Sequence, residues 1–203
     1  MAFLRGDGAK LLAITILITA SSTNMKDLRL DGLHERHPGL TAALGESYTE
    51  AACVCFSRHH LSPVDLSVQR GNDVEVRSVA FANPDSRICN AYANEIDATE
   101  AGAYCVSLAA LEEVVGIVAV RRAETLTGAD WYMAPIGTEA EDLENCIRLE
   151  VSGVNAGPSG DIKRRLFEKV DQAARGKSNL PAIAAVVGFK ALEVAISALG
   201  SQT

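Results

Sequence analysis

Between residues 40 and 60 the apolar positions Leu44, Tyr48, Ala51, Ala52, Cys55 and Phe56 return every three or four residues. That recurrence matches the turn of a helix with one apolar face, and Pro38 and Gly39 mark its start. The pattern then changes to alternation in "VDLSVQ" and "VEVRSVAFA" on either side of the turn-rich "RGND", which predicts a β-hairpin. Residues 83–90 read as a loop. Beyond it, alanine content and helical spacing predict a second helix over Ala91 to Val115. Glu95, Asp97 and Glu100 lie near its beginning, where acids suit the positive end of the helix dipole.

From Gly116 the period is that of strands. "GIVAVRRAET", "GADWYMA" and "CIRLEVSG" are the segments, with the polar connection "PIGTEAEDLEN" before the last. Asp161 is placed to cap a helix, "IKRRLFEKVDQAARG", with Leu166, Phe167 and Val170 as its buried stripe and Lys163, Arg164, Arg165 and Lys169 on a basic, solvated side. Ala182 to Val187 reads as a buried strand and Leu192 to Ile196 as an alternating one. The fold class expected is α/β, a mixed central sheet flanked by helices. Residues 25–203 are expected to form a single domain behind an extension over residues 1–24.

Alternation also sorts the side chains. In "CIRLEVSG", Ile147, Leu149 and Val151 point to one face and Arg148, Glu150 and Ser152 to the other. Asp130 shares a face with Tyr132, opposite Trp131 and Met133, and Trp131 reads as a core anchor. Pairing of the two segments in a favourable register brings Asp130 and Glu150 together on one polar face, near enough to share a cation.

Composition narrows what such a face is for. With 48% apolar and 22% charged residues the chain is an ordinary globular one, but its net charge of −7 excludes holding nucleic acid by bulk attraction. Any such contact has to rest on a local cluster of cations. The chain lacks the phosphate-binding loop GxxxxGK[ST], an opening GxGxxG and a GxSxG elbow. Its five cysteines, Cys53, Cys55, Cys89, Cys105 and Cys146, are scattered and odd in number, as in reduced, cytosolic proteins. Cys53 and Cys55 with His59 and His60, like His34 and His37, match no zinc spacing and read as structural. Arg5 and Lys10 ahead of the apolar run Leu11 to Ala20 have the form of a secretory signal, too short to span a bilayer. The cysteine usage and Met25 as an alternative start favour a cytoplasmic chain with no membrane partner.

The order of elements from residue 91 is helix, three strands, helix, strand, with an acid at each of the two later strands. This resembles the common core of the PD-(D/E)XK, or restriction-endonuclease-like, nuclease superfamily over residues 91–197, with the first helix and hairpin as additions. The resemblance implies Mg²⁺ as cofactor, Asp130 and Glu150 at the metal-binding positions, and Glu100 as an additional acid on the preceding helix. Two hard carboxylate donors on one polar face suit Mg²⁺, which keeps several of its waters. Where the superfamily places a lysine, two residues after the second acid, this chain has Ser152. A substitute cation has to come from elsewhere, with Lys163, Lys169, Lys190, Arg122 and Arg148 in range. Two functions follow. One is Mg²⁺-dependent cleavage of nucleic-acid phosphodiesters. The other is a catalytically inactive relative acting as a binding or assembly subunit with protein partners, in a defence or DNA-processing complex.

Overall fold

Thr41 opens the first long helix, its hydroxyl accepting from the backbone N–H of Leu44 at 3.3 Å. This helix, α2 (Ala42–Ser57), follows the single turn α1 (Leu33–Arg36). The computed structural model describes residues 27–124, 128–138, 143–175 and 178–199, and the expected extension over residues 1–24 lies outside them. The hairpin forms as expected: β1 (Val64–Arg70) and β2 (Asp73–Val79) pair antiparallel, turning at Gly71 with φ 61°. A residue without Cβ meets no steric penalty there.

The helix expected over Ala91 to Val115 begins later, at Glu95, and a separate short helix precedes it. Asp85 caps a short helix, α3 (Ser86–Ala91), through Oδ1 and the Ile88 N–H at 2.8 Å, so residues 83–90 are not all loop. Asn94 caps the long α4 (Glu95–Val115), accepting from the Ile96 N–H at 3.1 Å. Apolar spacing runs through both segments and does not register a break made by capping side chains.

The strands β3 (Ile117–Arg122), β4 (Trp131–Pro135) and β5 (Ile147–Val154) follow, then α5 (Ser159–Ala174), β6 (Ala182–Gly188) and β7 (Glu193–Leu199). Asp161 does not cap α5. Pro158 holds the cap position, and Asp161 lies inside the first turn, 3.0 Å from Arg164. A proline is tolerated there because the first N–H groups of a helix have no partner within it.

All seven strands form one sheet in the order β2-β1-β7-β6-β5-β4-β3. Pairing is antiparallel except at β5/β6 and β1/β7, which are parallel, so the chain is an α/β protein with a mixed sheet flanked by helices. The run α4–β3–β4–β5–α5–β6 has the expected order, and the hairpin joins the far side through β7.

Alternation on β5 holds. Leu149 and Val151 enter the main core with Trp131, Met133, α2 and α4. On the opposite face Ile162 of α5 packs with Val186 and Ala195. Trp131 is fully buried, as an anchor should be. Phe167 is not part of the α5 stripe: it is 74% exposed, while Ile162 and Ala173 are buried. The contacting positions are 162, 166, 169 and 173, one turn apart, and Phe167 sits about 100° round the helix from Leu166. Cys53, Cys55, Cys105 and Cys146 are buried, Cys89 is exposed, and all are free thiols. His37 is buried in a structural role, its Nδ1 accepting from the Ala119 N–H at 2.9 Å and its Nε2 lying 3.2 Å from Glu112.

One glycine fixes how α4 lies on the sheet. A Cβ at Gly153 would stand 2.5 Å from the Thr99 methyl and 2.7 Å from the Thr99 carbonyl oxygen. Because the second obstacle is backbone, Gly153→Ala has to push α4 off β5. Overpacking of this kind costs about 1–3 kcal/mol, which for a chain of this size is roughly 2–12 °C in melting temperature. Thermal unfolding followed by circular dichroism checks this, and an unchanged midpoint contradicts it.

Candidate active site

The end of the sheet where β3 finishes and β4 begins gathers the polar residues. Asp130 does not lie within β4 but just before it, and its backbone is tied on both sides. The Ala123 N–H donates to its carbonyl oxygen at 2.9 Å, and its own N–H donates to the Leu149 carbonyl oxygen at 2.7 Å. Its carboxylate is equally fixed. Oδ2 accepts from the Val151 N–H at 2.8 Å, and Oδ1 lies 2.9 Å from the Tyr104 hydroxyl. Since Trp131 pairs with Leu149 in the β4/β5 ladder, Asp130 stands beside Glu150, whose side chain rises on the α5 face.

Glu150 is almost closed off, with 4% of its side chain exposed. Lys169 of α5 donates to its Oε2 at 3.2 Å and Gln172, one turn on, donates to Oε1. Burial raises the pKa of Glu150 and the charge of Asp130 raises it further, while Lys169 pulls it back; the result is about 7. The two acids are therefore electrostatically joined, although Asp130 reaches toward Tyr104 of α4 and Glu150 toward α5, and they share a setting in which the second charge is costly.

Glu100 joins them indirectly. The Tyr104 hydroxyl lies 3.0 Å from Glu100 Oε1 and accepts from Arg122 Nη2 at 2.9 Å. With a single proton, the phenol donates to Glu100 or to Asp130, one at a time. Its pKa is raised, chiefly by burial and then by the charge of Asp130, so it stays protonated at neutral pH. Arg122 also stands 3.7 Å from Asp130 Oδ1.

Of the five cations in range, the structure brings two to the acids. Lys169 meets Glu150 and Arg122 meets Asp130. Arg148 is buried and spends its guanidinium on the carbonyl oxygens of Ala173 and Leu180, tying down the end of α5. Lys163 and Lys190 are exposed, Lys190 in the β6–β7 turn. Ser152 shares the Glu150 face and is half-buried. Tyr104 and Gln172 carried no sequence signal beyond their spacing, four residues after Glu100 and three after Lys169.

Among the described residues no group of three or more His, Cys, Asp or Glu side chains is arranged to hold a metal. A two-carboxylate set still fits Mg²⁺, which is commonly held through one or two carboxylates with waters completing its shell. All donors here are hard oxygens, and each carboxylate oxygen has a lone pair beyond the hydrogen bond described. No helix among the described residues is long and apolar enough to cross a membrane. Comparison with protein-family models, with curated proteins and with solved structures finds no match.

Proposed function

We propose that this chain is a PD-(D/E)XK-like enzyme that cleaves nucleic-acid phosphodiesters with Mg²⁺ held by Asp130 and Glu150. The observation that carries the reading is the meeting of these two acids with Lys169 at one end of the sheet, where burial and then the charge of Asp130 raise Glu150 to about 7. A buried acid whose pKa is strongly raised beside a second carboxylate is typical of sites that bind a cation or move protons. When bound, Mg²⁺ supplies positive charge to the reacting phosphate oxygens.

The chain's own groups divide the remaining work. The Val151 N–H and Tyr104 hold the Asp130 carboxylate in one orientation. Lys169 supplies the ammonium that Ser152 does not, placing a positive charge beside Glu150 where negative charge grows on the phosphate. Glu100 acts through the Tyr104 hydroxyl as a positioning acid. Free thiols on all five cysteines suit a cytoplasmic setting.

A second reading, an inactive binding or assembly subunit, is favoured by a different observation: both Glu150 oxygens are already engaged by Lys169 and Gln172. Calorimetric titration with Mg²⁺ and Mn²⁺ decides between them. The enzyme reading expects one cation site, lost in Asp130→Ala and in Glu150→Ala. A folded, unsubstituted protein giving no cation-dependent heat overturns it and leaves the binding subunit.

A further inference from the structure

Arg121 and Arg122 are neighbours at the end of β3 with different surroundings. Arg121 pairs with Glu124 at 3.0 Å on open surface, a solvated ion pair of little energetic consequence. Arg122 turns to the other face. Its guanidinium carbon lies 4.4 Å from the centroid of the Tyr104 ring and 5.2 Å from that of Trp131. Trp131 is fully buried and Tyr104 nearly so, so the cation rests on two packed rings.

Stacking of this kind is more than Asp130 needs for a counter-charge. The contacts of Arg122 to Tyr104 and Asp130 both run through Nη2, and the side chain remains 45% exposed. A guanidinium carries five N–H donors in a planar fork. Among the described residues the Nε and Nη1 donors therefore remain for another partner, in an orientation already fixed by packing. A preorganised fork loses little entropy when it binds a phosphate bidentately.

The charge of the whole chain supplies the second line of support. At −7 it repels a polyanion, so a strand reaching Asp130 and Glu150 needs fixed cations beside them. Lys169 stands beside Glu150 and Arg122 beside Asp130, so the acid pair carries a cation on each of its members. We propose that Arg122 binds a backbone phosphate of the nucleic-acid substrate and so positions the strand across the carboxylate pair. This deepens the reading of the site as phosphodiester-cleaving and rests on it.

The test is binding, separate from cleavage. Fluorescence anisotropy with labelled single-stranded DNA, single-stranded RNA and duplex DNA is measured in EDTA and in Ca²⁺ over a range of salt. Arg122→Gln is expected to weaken binding of the preferred oligonucleotide tenfold or more. It also makes the plot of log affinity against log salt shallower by about 0.7–0.9, the share of one phosphate contact. Arg122→Lys keeps the charge but not the fork and falls between the two. Lys163→Gln, an exposed cation away from the acids, leaves affinity unchanged. A role confined to packing moves the melting temperature and not the salt slope. Wild-type affinity and slope in folded Arg122→Gln overturn the proposal, as does an unsubstituted protein that binds none of the three oligonucleotides. Where Arg122→Gln does not fold, Arg122→Lys decides by the same two readings. Loss of cation heats in the calorimetric titration strikes the cleavage reading alone, whereas an Arg122 variant with intact cation binding and intact oligonucleotide binding strikes this proposal alone.

Discussion

Lys169→Ala is expected to lower Mg²⁺-dependent cleavage by about 10²- to 10³-fold, the usual cost of removing one preorganised electrostatic contact. Lys169 is the nearest ammonium to Glu150, and its stem lies along α5 with only 20% of the side chain exposed. The same residue pulls the Glu150 pKa down, so its loss also shifts the rising limb of the pH–rate profile to higher pH. That shift separates an electrostatic role from a packing one. Ser152 faces the same side of β5 as Glu150, which makes the compensating change specific. Ser152→Lys in the Lys169→Ala background returns the ammonium from the strand and is expected to restore most of the rate and the original pH limb. Single-turnover cleavage of a labelled oligonucleotide across pH 6 to 9 measures both. Full activity in folded Lys169→Ala contradicts the assignment, and no recovery in a folded double variant shows that the strand position no longer addresses the acids.

The second large effect is on stability, and it runs in favour of the variant. Folded Glu150 keeps its proton up to about pH 7, against an ordinary value of 4.5. Between those values the folded chain binds more protons than the unfolded one, so this group's contribution falls as pH rises and the full penalty is present above 7. A difference of that size corresponds to about 3 kcal/mol. Glu150→Gln removes the ionisation while keeping the shape and a hydrogen-bonding partner for Gln172. Lys169, which reaches solvent, loses less than Glu150 gains. The variant is therefore expected to melt roughly 6–12 °C above the unsubstituted protein at pH 8, with the gap closing toward pH 5, while losing its cation site. Scanning calorimetry at the two pH values, with and without Mn²⁺, checks this. A midpoint that does not rise at pH 8, or a gap independent of pH, removes the case that the carboxylate is held ionised against its surroundings.

The parts of the site that were legible are those set by local pattern, and the rest depend on how distant elements pack. Strand alternation is a local property, so the faces of Leu149, Glu150 and Val151 follow from the order of residues alone. That Asp130 stands beside Glu150 depends on the β4/β5 register, Trp131 opposite Leu149, and Asp130 itself lies just before the strand that alternation assigned it to. Lys169 could be named among the candidate cations but not chosen, because the choice depends on where α5 crosses the sheet, and that is set by contacts such as Ile162 against Val186. The misplacement of Phe167 has the same origin: hydrophobicity marked it for the core, while the crossing put Ile162 and Ala173 there instead. Tyr104 was hidden because a tyrosine on an alanine-rich apolar helix reads as core. Only its hydroxyl, reaching Asp130 and Arg122, shows otherwise.

The position of β7 has a consequence for how the chain is made. It is the last strand of the described residues, yet it lies between β6 and β1, with Ser67 opposite Glu193 although most of the sequence separates them. During synthesis the hairpin leaves the ribosome early with one flank of β1 unpaired, and that flank has no native partner until β7 arrives. An open strand edge accepts other chains as readily as its own, and pairing across so long a separation is slow. Nascent chains halted anywhere between β2 and β7 therefore expose the same row of unpaired N–H and C=O groups, an edge open to other chains for the whole of that interval.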